Sequence, residues 1–164
     1  MNKYSFKSTG QKISDINREN SDSIDAITIT PISIKTPLEL SSETSGLFKM
    51  HTEYEDFIHD NLRNMLLTNN GERLGLYDFG ASLRELTFEL INTPNFESLI
   101  MNRIKRTVEK YMPYVDLESF TSEKIDINEG SVGSLVKVII RVEYNVPQIS
   151  IIKKPLELIL YVGG

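Results

Sequence analysis

The chain has 164 residues, 40% of them apolar and 25% charged, with a formal net charge of −5, which suits one domain with a modest core plus an arm. With no cysteine, disulfides, thiolate metal sites and thiol nucleophiles are excluded, and the acidic balance argues against a general phosphate-backbone binder, whose affinity rests on Lys and Arg. No apolar run approaches the ~20 residues that span a bilayer, and the opening MNKYSFKSTGQK has basic residues without an apolar stretch behind them, so it does not read as a signal peptide.

Residues 1–50 read as an extended N-terminal arm, and residues 51–164 as an α+β domain. Residues 1–23 are polar and without period, and from Ile24 to Leu40 an apolar segment is punctuated by Pro31 and Pro37. Ile27, Ile29, Ile32 and Ile34 favour extended chain there, while the prolines forbid a central strand. A first helix is expected from Thr52, where Thr52 and Glu55 have capping-box spacing, with Tyr54, Ile58, Leu62 and Met65 as its apolar stripe. Asn69, Asn70 and Gly71 end it, and the loop GERLGLYDFGAS leads to a second helix carrying Leu83, Leu86, Phe88 and Ile91.

Thr93 and Pro94 predict the start of a third helix, with proline at its first position and Phe96, Leu99, Ile100, Ile104, Val108 and Tyr111 on one face. Pro113 stops it. The remainder reads as β. Val136, Val138, Ile140, Val142 and Tyr144 alternate cleanly along one strand; EKIDI upstream, across the turn at 128–134, is its expected partner. After a reversal at residues 145–148, the last strand places Leu156, Leu158, Leu160 and Val162 on one side, and Pro155 puts it at an edge or a bulge. The expected architecture is three helices packed on a small antiparallel sheet.

Chemistry-bearing patterns are few. Glu72, Asp78 and Glu85 are the acids near the Gly-rich loop; a glycoside hydrolase would need one protonated and one ionised carboxyl about 5–9.5 Å apart, and the chain has no Trp to stack on a sugar. His51, Glu55 and His59 would share one face of a helix that ran through all three, yet no further metal ligand is indicated. Arg103, Arg106 and Lys110 share a face of the third helix, which reads as a solvated surface opposite the apolar stripe. No P-loop, dinucleotide fingerprint or nucleophile elbow is present. No cofactor, metal, nucleic acid or membrane is expected.

The segment NLRNMLLTNNGERLGLYDFGASLRELTFE, residues 61–89, resembles the baseplate wedge family of contractile phage tails and its type VI secretion relatives. The matching positions are Leu66, Leu67, Thr68, Gly71, Arg73, Phe79, Gly80, Leu83 and Phe88; Tyr77 and Asp78 stand where the family usually has Pro-Glu. The resemblance extends through the third helix and the C-terminal strands, about two thirds of the chain. A Glu-Pro-Arg motif ends the family's third helix, whereas here Met112, Pro113 and Tyr114 keep only the proline.

The resemblance implies a structural, non-enzymatic subunit of a virion tail baseplate, assembled in the host cytoplasm. Its implied partners are other wedge subunits with their core helical bundle, the tail sheath protein, and hub or tube proteins. Gly71, Arg73, Asp78, Phe79, Gly80, Met112, Pro113 and Tyr114 are the expected loop-defining or partner-binding residues. Sheath initiation by strand addition is implied for the last strand, at Ile151, Leu156, Leu158 and Leu160. The rival expectation is a tail-associated peptidoglycan hydrolase.

Overall fold

A computed structural model describes residues 30–41, 47–90, 94–127 and 135–163. The turn expected at 128–134, together with Ile91 and Thr93, lies outside them. The chain divides into two compact units, Met1–Asp60 and Asn61–Gly164.

In the first unit, strand β1 (Ser33–Ile34) pairs antiparallel with β2 (Met50–His51). The pairing continues on both sides of this ladder: the Ile32 N–H donates to the His51 carbonyl at 2.8 Å and the Lys49 N–H to the Glu39 carbonyl at 2.9 Å. Lys49 and Glu39 also form an ion pair at 2.7 Å. Pro31 lies just before β1 and Pro37 beyond it, so neither interrupts the ladder.

Helix α1 (Tyr54–Leu67) runs across the division between the units. It starts two residues later than the sequence suggests, because Glu53, not Thr52, supplies the first helical carbonyl, to the Phe57 N–H. His51 consequently lies on β2 and not on the helix. Its Nε2 sits 3.0 Å from Asp60 Oδ2, close enough for an ion pair but out of line for a hydrogen bond. Of the predicted stripe, Ile58, Leu62 and Met65 are buried, as is Leu66 beside it, while Tyr54 is exposed.

The second unit contains α2 (Leu83–Leu90), α3 (Phe96–Tyr111) and an antiparallel meander, β3 (Asp116–Ile127), β4 (Leu135–Val146) and β5 (Ile151–Gly163). Asn95 caps α3, so Pro94 stands before the cap and not at the first helical position. A proline fits there because it fixes φ without removing a helical donor. Strand β3 begins at Asp116, well upstream of EKIDI; its first half is mostly polar and gives no clear alternation. A short 3-10 turn, Pro147–Ile149, makes the reversal into β5.

The register explains the core. Val138, Ile140 and Val142 on β4 stand opposite Leu160, Leu158 and Leu156 on β5, and all six side chains are buried, with Tyr144. Helix α2 packs against β5 and α3 against β3; Phe96, Ile100, Ile104 and Val108 form the buried face of α3. On the other face of the sheet, Arg141 reaches Glu157 at 2.9 Å and Glu123 at 3.8 Å, tying all three strands together.

Two irregularities interrupt this regular sheet near one end of β4. The β3 register shifts between Leu117 and Ser119, leaving Glu118 as the extra residue. On β5, Ile152 and Lys153 together oppose Asn145; Lys153 has φ +52° and its N–H donates to Asn145 Oδ1 at 2.7 Å. Leu158→Ala, at the centre of the core, should cost about 2–5 kcal/mol, read as a lower urea midpoint with an unchanged m value.

Candidate functional site

The segment between α1 and α2 is a closed loop whose ends touch. The Ser82 N–H donates to the Thr68 carbonyl at 3.2 Å, and Ser82 Oγ accepts the Asn70 N–H at 2.8 Å. Inside it, the Gly71 N–H donates to the Tyr77 carbonyl at 2.7 Å. Glu72 turns back on Asn69, accepting its N–H and its side-chain amide at 2.8 Å each. Such a loop presents side chains from a fixed frame instead of sampling many shapes.

Gly80 makes this closure possible. Its φ is +109°, and a Cβ there would lie 2.3 Å from the Thr68 carbonyl oxygen, an atom of the backbone that cannot step aside. Gly71 also has a positive φ, +86°, but faces open space. At Gly71 only the conformation calls for glycine; at Gly80 the packing does too.

Phe79 pins the loop to the helices. The Arg73 guanidinium lies over its ring, 4.0 Å from the centroid, and Tyr111 at the end of α3 meets it edge-on at 5.0 Å. Contacts of these two kinds each contribute about 0.5–1.5 kcal/mol. Beside them Asp78 pairs with Lys110 of α3. Lys110 holds the Asp78 carboxyl below its usual range, with the neighbouring Tyr111 hydroxyl as the second cause. Asp78 in turn raises Lys110. The Tyr111 hydroxyl is buried without a well-aligned hydrogen bond of its own.

The two segments singled out from the sequence converge here. Arg73 and Phe79 from the loop, and Met112 and Tyr114 from the exit of α3, line a single pocket of about 220 Å³. Asn61, Asn64 and Met65 of α1 and Tyr111 complete its wall. Met112 is buried and caps α3 through its N–H, which donates to the Val108 carbonyl; Pro113 follows and is exposed. Tyr114 is partly exposed, and burial pushes its hydroxyl above the ordinary tyrosine range. The pocket offers two side-chain amides, a guanidinium and two phenols beside Met65, Phe79 and Met112.

Lys110, Asn61 and Asn64 were not evident from the sequence as members of this site. The one available hint was position, since Lys110 and Tyr111 immediately precede Met112. The loop also shows three apolar side chains to solvent, Leu74, Leu76 and Tyr77, with Leu74 95% exposed. Phe88 is exposed on α2. Ile151, Leu156, Leu158 and Leu160 lie with their side chains in the core, so a strand added along β5 would meet its main chain and the alternate side chains.

Other candidates fall elsewhere. Glu72, bound by the Asn69 N–H, is held below the usual carboxylate range, as is Asp78; a general acid needs the opposite shift. Glu85 is exposed on α2. Among the described residues, no group of three His, Asp or Glu gathers to hold a metal, and no helix is long and apolar enough to cross a membrane. Arg103 and Arg106 are exposed on α3.

No protein-family model matches the chain, and no curated protein does. Among solved structures it is similar to a chain described as a tail lysozyme from Geobacter sulfurreducens, with 23% identity and a TM-score of 0.49, covering 69% of this chain and 93% of that one. It is also similar to a chain of the anti-feeding prophage baseplate, with 17% identity and a TM-score of 0.48, covering 82% of this chain and 86% of that one.

Two outcomes test the site. Gly80→Ala should destabilise the second unit by at least about 2 kcal/mol, since it adds strain at positive φ to a backbone overlap; thermal melting reads this directly. The Asp78 carboxyl is lowered in the fold, so its contribution is present above the unfolded aspartate pKa of about 3.9 and is lost as pH falls through the folded value. Asp78→Asn should therefore flatten the fall in Tm between about pH 5 and pH 3, and adding Lys110→Met should change Tm little further.

Proposed function

We propose that the chain is a structural subunit of a contractile-tail baseplate that docks on wedge neighbours and starts sheath assembly by accepting a strand. The observation that carries this reading is the convergence of two separated segments on one rigid patch. Arg73 and Phe79, the heart of the loop motif, and Met112 and Tyr114, the counterpart of the Glu-Pro-Arg motif, share a single pocket wall. A loop braced by main-chain closure and an aromatic pin is pre-organised, so little ordering entropy is lost when a partner seats on it.

The replacement of Glu and Arg by Met112 and Tyr114 changes how this patch would bind. Arg73 and the Asp78–Lys110 pair keep charge nearby, but Asp78 and Lys110 are spent on each other. The docking contact is therefore more apolar and aromatic than ionic, the composition that dominates binding hot spots.

A non-enzymatic role fits the acids of the loop. Glu72 and Asp78 are both engaged and both held low, which leaves neither as a proton donor near neutral pH. Immunogold labelling of contractile particles from the organism that encodes this chain should place gold at the baseplate, beneath the sheath. Particles without label, together with turbidity loss when pure protein meets peptidoglycan, would replace this reading with the hydrolase.

A further inference from the structure

We propose that the pocket between the loop and the exit of α3 takes the carboxylate of a partner protein's acidic side chain, gripped by Arg73. The inference rests on the docking reading above and names the ionic anchor at the centre of that largely apolar contact. Among the described residues, Arg73 is the one charged side chain on the pocket wall. Its guanidinium has the Phe79 ring beneath it and, among those residues, no carboxylate beside it. Lys110, the cation next to the pocket, is already paired with Asp78.

The geometry suits a planar anion. A guanidinium held 4.0 Å over a ring still has its N–H donors to give, and they form a fork that matches a carboxylate. Asn61, on the same wall, brings an amide that makes no hydrogen bond among the described residues. Tyr114 adds a phenol. Met65 and Met112, both buried, offer apolar surface to the methylene stem of a glutamate. Met112 stands where the family that the loop resembles has Glu, so this chain brings no acid of its own to that position.

Size and charge select the occupant. About 220 Å³ is smaller than the roughly 300–1,000 Å³ of pockets that enclose whole small ligands, and it suits one side chain. One unpaired cation matches the single charge of a carboxylate; a phosphate, with nearly two, calls for further cations. Arg73 is exposed in the chain alone, where an ion pair contributes little. A seated partner removes the water and strengthens the pair. At long range the chain, with its net charge of −5, repels acids. A preference for an acidic peptide therefore has to come from the local arrangement.

Two capped peptides test this, acetyl-Gly-Leu-Glu-Leu-Gly-amide and the same sequence with Gln for Glu, each titrated into the nitrogen-15-labelled full chain. The Glu peptide should bind at least about tenfold more tightly, the worth of a hydrogen bond to a charged group, and should shift the side-chain resonances of Arg73 and Asn61. Arg73→Gln keeps a flat group beside Phe79 and should erase the preference. Arg73→Lys keeps the charge without the fork and should retain only part of it. Both variants are read with the β4 amide resonances unchanged, which shows the fold intact. Equal binding of the two peptides, a preference that survives Arg73→Gln, shifts confined to other surfaces, or no binding would each overturn the assignment. Acetate binding as tightly as the Glu peptide would also overturn it, giving the pocket to a free acid. Gold at the baseplate alongside any of those results would leave the baseplate reading standing and remove only the carboxylate site.

Discussion

Where the chain leaves α1 and where it prepares to enter α2, two stretches of main chain press together, Gly80 against the Thr68 carbonyl. Everything the loop does follows from that crossing. It lets the Ser82 N–H reach Thr68 and the Asn70 N–H reach Ser82 Oγ, which closes the loop. It then delivers Phe79 to Tyr111 and Asp78 to Lys110. A side chain at position 80 would hold the strands of the loop apart, and the aromatic pin and the ion pair would lose their register together.

The pin and the ion pair act on different parts of the same joint. Phe79 sits between a guanidinium and an aromatic edge, a contact that water weakens little once the ring is covered. Asp78 and Lys110 are both exposed, and a pair so placed orients the loop more than it stabilises it. The pocket beside them inherits its shape from the first contact and its electrostatic setting from the second.

The helices and the two C-terminal strands were legible because burial writes a period into the sequence. Val138, Ile140, Val142, Leu156, Leu158 and Leu160 alternate, and all prove buried. The first half of β3 was not legible. It is an edge strand with one side facing water and a bulge at Glu118, so its apolar residues, Leu117 and Phe120, fall out of alternation. Helix starts were displaced by a residue or two because cap patterns at Thr52 and Pro94 are shared by neighbouring registers. The site was half visible. The motif named Arg73, Phe79 and the exit of α3 separately, but nothing local says that residues some forty positions apart line one wall.

The two bulges lie at one end of the meander, Glu118 on β3 and Lys153 on β5, and the two residues approach each other at 3.9 Å. Away from that end the ladders are uninterrupted. Ladder bonds run across the strands, so a strand drawn along its own length loads those bonds side by side. Drawn outward from one end, the same strand parts from the sheet one bond at a time. The meander therefore has a strong direction and a weak one.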